Sequence, residues 1–433
     1  MTSMEAVISI ALASTLGISL AALAYVRRKS QNVPLSKIKF GKEMRKAEFF
    51  FYDDITPCNH GSFGAVPKQV FDARYRFLVE SEQNPDLFQM FNCAKYHQAA
   101  CVQVAQFVGA DTNDIVFIPN VTTAISTVLN SLRLAKDDKI LTSNVTYPSM
   151  VNAADAACEM SISDARVLTL NVRFPINSKE EFIQNYRDIL SSNSSIKIAI
   201  IDHITSSTAL VIPIKELIKL CREIGVQTFI DGAHAPGQIA LNIEELQPDY
   251  YTGDLHKWLY TPRGAAFLWI NPKHHNIIKP LVTSHNCKQS MQKQFFQRGT
   301  QDNSTYLSAP AAIKFYTDIG GMISLQGAIH EYTNSLLEWG IPMLAEAWGT
   351  ETLAVPANMM APNMRLVRLP TSDVKYDTTD QWAIDILANI YDKHRVLCAP
   401  VEVQCQLWCR VSVNIYNTKE DLMHLRDAVL DVF

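Results

Sequence analysis

At 433 residues the chain can fill one large and one smaller domain, and a composition of 48% hydrophobic and 19% charged residues excludes a disordered scaffold. A formal net charge of −4, with no basic stripe interleaved with aromatics, excludes nucleic acid as a partner. Its nine cysteines form no CxxC pair, which argues for reduced thiols and against a disulfide framework or a structural metal site.

From Ala6 to Val26 there is no charge, and the run is rich in Ile, Leu, Ala and Val before Arg27-Arg28-Lys29. Such a run of about 20 residues matches the hydrocarbon thickness of a bilayer. Glu5 before it and the basic cluster after it reverse the order of a cleaved signal peptide. The sequence therefore predicts an N-terminal transmembrane helix within residues 1–29, a single-pass membrane anchor with the remainder facing the cytoplasm. The alternative is a targeting segment, with a cytoplasmic or mitochondrial location. Residues 30–55 read as a basic linker and N-terminal arm ending in Phe49-Phe50-Phe51-Tyr52.

Residues 56–310 alternate short β-branched runs with helical ones. Ile115–Ile118 predicts a strand, followed by a helix with the apolar stripe Ile125, Val128, Leu129 and Leu132. Ile140–Thr142 predicts a second strand and Ile196–Ile204 a buried one. The helix Ile214–Ile224, stopped by Gly225, leads into a strand at Val226–Ile230. Strands with helical crossovers imply an α/β fold, a mostly parallel sheet between layers of helices. Residues 311–433 shift to longer helices with few strands, a smaller α+β C-terminal domain.

Four features fall at the carboxyl ends of these strands, where open α/β sheets place ligands. Asn120-Val121-Thr122-Thr123-Ala124 joins a strand end to a helix start; free N–H groups and two hydroxyls make either a phosphate cup or an ordinary helix cap. In Asp231-Gly232-Ala233-His234, an acid after an apolar strand suits a protonated heterocyclic nitrogen, and the small residues let a flat ring approach; the alternative is a plain turn. In Gly253-Asp254-Leu255-His256-Lys257-Trp258, a lysine among apolar neighbours can lose its proton and form an imine. Its position, about 25 residues after the acid with one helix and one strand between, argues against a merely snorkelling surface lysine. Arg410, in Arg410-Val411-Ser412-Val413-Asn414, is either a bidentate carboxylate clamp or part of a structural ion pair.

Together these residues resemble the fold-type I pyridoxal 5'-phosphate (PLP) enzymes of the class V aminotransferase family, over residues 55–430. Asn59-His60-Gly61-Ser62-Phe63-Gly64, Asp202-His203-Ile204-Thr205-Ser206 and the DLHKW run are most similar to its isopenicillin N epimerase and hercynylcysteine sulfoxide lyase branch. The resemblance implies that Lys257 holds the cofactor, Asp231 pairs with its ring nitrogen and His234 lies near its phenolic oxygen as a second catalytic group. It implies that Thr122, Thr123 and His256 serve the phosphate, and that Tyr147 stacks on the ring. Gly299 and Thr300, after Arg298, would reach the phosphate of a neighbouring subunit in a homodimer. Arg410, with Asn59 and His60, would hold the carboxylate of an amino-acid substrate. The residues that would meet the substrate side chain fall in expected loops at about 85–100 and 280–296, which carry no motif.

The reaction this implies is β-elimination from a cysteine sulfoxide conjugate, a C–S lyase. Three alternatives stand beside it: an epimerase or aminotransferase, a cysteine desulfurase using Cys398, and an inactive membrane-tethered binding protein. Cys398 lies 12 residues before Arg410 but lacks the Gly-His-His that precedes a desulfurase cysteine. His203 is read as either a cofactor contact or a core histidine, and His274-His275 as a solvated loop.

Overall fold

Seven strands form the central sheet: β1 (Ile115–Ile118), β2 (Lys139–Ser143), β3 (Arg166–Leu170), β4 (Ile196–Asp202), β5 (Gln227–Asp231), β6 (Tyr250–Asp254) and β7 (Ala266–Ile270). They lie in the order β1-β7-β6-β5-β4-β2-β3. β7 is antiparallel to both neighbours, and every other pair is parallel. The computed structural model describes residues 34–161, 164–321, 327–371 and 380–433. The chain divides into two compact units, residues 1–39 and 40–433. The first contributes the 3-10 turn Leu35–Lys37; the architecture that follows belongs to the second.

The strands are parallel because helices connect them. Val121–Ser131, Pro148–Glu159, Lys179–Ser191 and Ile214–Glu223 each return the chain to the same end of the sheet. Strands β1, β6 and β7 are buried along their whole length, as expected of a sheet covered on both faces. Ile118, Ile125, Ile140, Ile198, Phe229 and Leu268 form part of one buried cluster between sheet and helices. The α/β class expected from the sequence is therefore the one observed.

A second sheet, β8 (Met364–Arg368), β9 (Ala399–Val403) and β10 (Gln406–Ser412), is antiparallel in the order β9-β10-β8. Helices Ala328–Trp348 and Lys419–Val432 share a core with it through Leu337, Leu344, Val367, Leu422 and Leu425. Near the start of the unit, Thr56–Pro57 pairs in parallel with Val396–Leu397, and Asn59 bridges to Ser412. This pairing brings the Asn59–Gly64 segment onto β10.

Two expectations are corrected here. The membrane anchor expected over residues 6–26 is withdrawn, and with it the membrane attachment and the membrane-face location. No helix among the described residues is long and apolar enough to cross a membrane, and residues 6–26 themselves lie outside them. The 21-residue helix Ala328–Trp348 has the length but carries Glu331, Glu338 and Glu346. Part of the expected linker is also structured. Lys42–Glu48 is a helix whose Met44 is fully buried and whose Arg45 pairs with Asp421. Neither partner could be read locally, since they stand 376 residues apart.

Candidate active site

The parallel register sets Asp202 of β4 beside Asp231 of β5, and Asp231 beside Thr252 of β6. Both carboxyls end their strands at the edge of the sheet where the crossover helices begin, and both are buried. Burial, and then the neighbouring Asp231, push the Asp202 carboxyl well above the usual carboxylate range. Burial raises Asp231 to about 6, opposed by the N–H of Ala233 and by the Lys257 charge. Both shifts follow from burying two carboxyls on neighbouring strands. Asp202 also accepts from the backbone N–H of Tyr147 at 3.4 Å, tying down the turn that presents the Tyr147 ring, which is 41% exposed.

Lys257 follows β6 on the short helix Leu255–Trp258. Its Nζ lies 3.3 Å from Asp254 Oδ2 and 3.5 Å from His234 Nε2. The indole N–H of Trp258 donates to His234 Nδ1 at 3.2 Å. An indole can only donate, so Nδ1 is unprotonated and the neutral ring carries its hydrogen on Nε2, facing Lys257. Burial and then the charges of Lys257 and Arg410 hold the His234 pKa far below its ordinary value. His234 is thus a fixed neutral donor facing Lys257.

The Lys257 turn is clamped from behind. His60 Nε2 donates to the Lys257 carbonyl at 2.6 Å, and His60 Nδ1 accepts from the Tyr416 hydroxyl at 2.7 Å. Burial lowers the His60 pKa to about 3, so the ring is neutral and both nitrogens are committed. It is not placed to grip a substrate; it positions Lys257. Gly64, at φ +66°, backs onto the His256 carbonyl, where a Cβ would lie 1.9 Å away. Only glycine fits that approach. Tyr416→Phe would leave His60 Nδ1 buried without a donor, and the expected loss is about 1–3 kcal/mol of stability by chemical denaturation.

Arg410 on β10 is buried. One terminal nitrogen donates to the Ser206 carbonyl at 2.8 Å and its hydroxyl at 3.1 Å; the other donates to Asn59 Oδ1 at 3.0 Å and Ser62 Oγ at 2.7 Å. Every one of these acceptors is neutral, and its Nε is buried without a partner. Burial lowers the Arg410 pKa to about 10, which still leaves it charged at neutral pH.

The helix Val121–Ser131 begins at Asn120, whose side chain accepts from the Thr123 N–H at 2.8 Å and hydroxyl at 2.9 Å. Thr122 is exposed, and the Val121 N–H points at Asp254 Oδ1, 3.3 Å away. His256 Nδ1 donates to the Ala265 carbonyl at 3.3 Å and stands 3.8 Å from Asp254. Gly299 and Thr300 lie in an exposed turn, with no hydrogen bond or ion pair to Lys257, Asp231 or Arg410.

Several readings change with the geometry. Gly232 makes room for the protein's own Tyr251 ring, 2.5 Å from where a Cβ would stand, and not for a ligand. His203 is a core histidine bonded to Tyr251 at 2.8 Å. His274 is buried against Asp249 at 2.7 Å and stacked on Tyr250, not solvated. Residues 85–100 are helical through Pro85–Leu87, the π-turn Phe88–Asn92 and the start of Cys93–Val108. Cys398 is fully buried in one core with Cys58 and Cys409. Asp254, Ser62 and Ser206 were missed as site residues. Asp254 stands three residues before Lys257 at a strand end, the one signal that pointed to it.

A primary amine beside a buried acid, a helix start with Thr122 open and an arginine lacking an anion are features that a pyridoxal-phosphate site would need. The family model for class-V aminotransferases matches residues 64–425, and the chain belongs to that family, with pyridoxal 5'-phosphate as its cofactor. It is 27% identical to an L-cysteine desulfhydrase of Arabidopsis thaliana, covering 87% of this chain and 88% of that one. It is 26% identical to the hercynylcysteine sulfoxide lyase of Schizosaccharomyces pombe, covering 90% and 97%. The cystine C-S lyase C-DES, solved with its reaction product cysteine persulfide, matches with TM-score 0.71 and 18% identity, covering 88% of this chain and 98% of that one.

Proposed function

We propose that this enzyme is a C–S lyase acting on a cysteine derivative, a sulfoxide conjugate foremost. Arg410 carries the reading of an amino-acid substrate: a buried guanidinium with neutral partners and a spare Nε suits an α-carboxylate. The choice of C–S cleavage draws on similarity to a desulfhydrase and a sulfoxide lyase.

In this reading Lys257 holds the cofactor, Asp231 faces its ring nitrogen, Thr122 faces its phosphate beside a Thr123 bonded to Asn120, and Tyr147 covers the ring. When bound, pyridoxal phosphate supplies an electron sink for the charge left at Cα. Arg410 fixes the substrate carboxylate so that the Cα–H faces the Lys257 amine, which takes the proton. His234, locked as a neutral Nε2–H donor, holds an oxygen on the cofactor side without competing for that proton. The Cβ–S bond breaks with its electron pair leaving on sulfur, and water completes the conversion to pyruvate, ammonium and the released sulfur fragment. The exposed apolar side chains Phe71, Tyr75, Met90 and Phe91, with the turn at Gly299 and Thr300, support a homodimer.

The competing route needs a protein thiol to accept sulfur. Cys398 is fully buried and packed against other cysteines, so it cannot reach a substrate. The test is to supply cysteine, cysteine S-oxides and other amino acids separately, then assay pyruvate, ammonium, sulfide, alanine and racemisation. Pyruvate and ammonium in equal amounts are expected, with Cys398→Ala within about twofold of the parent. Alanine formation lost in Cys398→Ala would select the desulfurase. Racemisation without pyruvate would select the epimerase.

A further inference from the structure

We propose that Asp254 is an internal anion that occupies the phosphate end of the site before the cofactor loads, and that it limits how tightly the phosphate is held. The proposal rests on the reading that the start of helix Val121–Ser131 takes the phosphate.

Asp254 ends β6 with its side chain almost wholly buried. One carboxylate oxygen lies 3.3 Å from the Val121 N–H, at the positive end of an 11-residue helix. The other lies 3.3 Å from Lys257 Nζ. A single side chain therefore engages both features that a phosphorylated aldehyde requires, the anion-binding helix start and the amine. Asn120 already fills the next part of the cup, through Thr123, which leaves Thr122 open.

Two consequences follow from charge alone. A phosphate brought to this helix start meets a carboxylate a few ångströms away, and in a water-poor site that repulsion is weakly screened. Asp254 also holds the Lys257 amine in an ion pair at 3.3 Å, a contact that attack on an aldehyde has to break. Asp254 opposes loading at both ends. To admit the phosphate, its carboxylate has to give up Val121. Asparagine at this position has the same shape and can still accept from Val121, but it carries no charge.

The test uses the full chain freed of cofactor, with Asp254→Asn and Asp254→Ser beside the parent. Binding of pyridoxal phosphate, pyridoxal and inorganic phosphate is measured by absorbance and by competition. The parent is expected to prefer pyridoxal phosphate over pyridoxal by less than about 100-fold, because the helix start is already occupied. Asp254→Asn is expected to bind pyridoxal phosphate and inorganic phosphate each about 10–100-fold more tightly, and Asp254→Ser to move in the same direction. A parent preference well above that bound overturns the proposal without any variant, and so does unchanged or weaker phosphate binding in either folded variant. Equal affinity for the two aldehydes in parent and variants alike overturns the phosphate cup itself, a result distinct from failure of Asp254 alone.

Discussion

Lys257→Ala lowers α-proton exchange of an amino-acid substrate by at least about 10³-fold, as expected when the positioned base is removed. Proton NMR in deuterated water reads that rate directly, and the near-visible absorbance of the purified protein disappears with it. The size of the effect follows from how the amine is held. His60 fixes the Lys257 carbonyl, Gly64 backs the same turn, and Trp258 locks the His234 ring that faces Nζ. No other amine is bonded into this constellation among the described residues, so water has to serve as base in the variant. Stability changes for a separate reason. Removing Lys257 leaves the Asp254 carboxylate buried with the Val121 N–H but without its cation, a costly state. Lys257→Ala combined with Asp254→Asn should therefore recover the melting temperature while exchange stays low. A single variant that keeps both the absorbance and the exchange would place the imine on another residue.

What could be read in advance was what depends on neighbours in sequence. The strands expected at 115–118, 196–204 and 226–230 are mostly apolar runs, and the sheet follows their bounds within two residues. Lys257, Asp231 and Arg410 stood out because an ionisable group beside a strand end has few structural uses. β3 did not, because Arg166–Leu170 is an edge strand with a half-exposed, mixed pattern. Nor was the direction of β7 visible: residues 255–265 carry one four-residue helix, too short for a crossover, and the strand therefore returns antiparallel.

The partners that give these residues their roles were hidden by distance along the chain. Asn59 meets Arg410 across 351 positions, and His60 meets Tyr416 across 356. Local reading assigned His60 to a substrate because it lies beside the site in sequence motif; the fold spends both of its nitrogens on Lys257 and Tyr416. It likewise left His274 in solvent, because Asp249 and the Tyr250 ring lie at the start of a strand more than twenty residues earlier. The N-terminal expectation falls on residues 6–26, which lie outside the described residues, and no helix among those described is long and apolar enough to cross a membrane.

Arg410→Lys is expected to raise KM for an amino-acid substrate so that kcat/KM falls by about 10–150-fold, the worth of charge-assisted hydrogen bonds in a fixed fork. The guanidinium is oriented by Ser206 on one terminal nitrogen and by Asn59 and Ser62 on the other, which leaves the Nε–H as its spare donor. A lysine ammonium, with fewer donors and no planar fork, cannot satisfy Ser206, Asn59 and Ser62 and still donate to a carboxylate. The pH dependence has a definite sign. Burial lowers the Arg410 pKa to about 10, so the cation persists from pH 7 to 9 and is lost only as pH rises through about 10. Across pH 7–9 the clamp should therefore contribute no slope to KM. The decisive comparison is between an amino acid and the same compound without its carboxylate. If Arg410 grips that group, the parent discriminates strongly and Arg410→Lys loses most of the discrimination, with the carboxylate-free amine handled almost equally by both. If Arg410 instead braces Asn59 and Ser62 against β10, both compounds suffer alike, kcat falls with KM unchanged, and the clamp is ruled out.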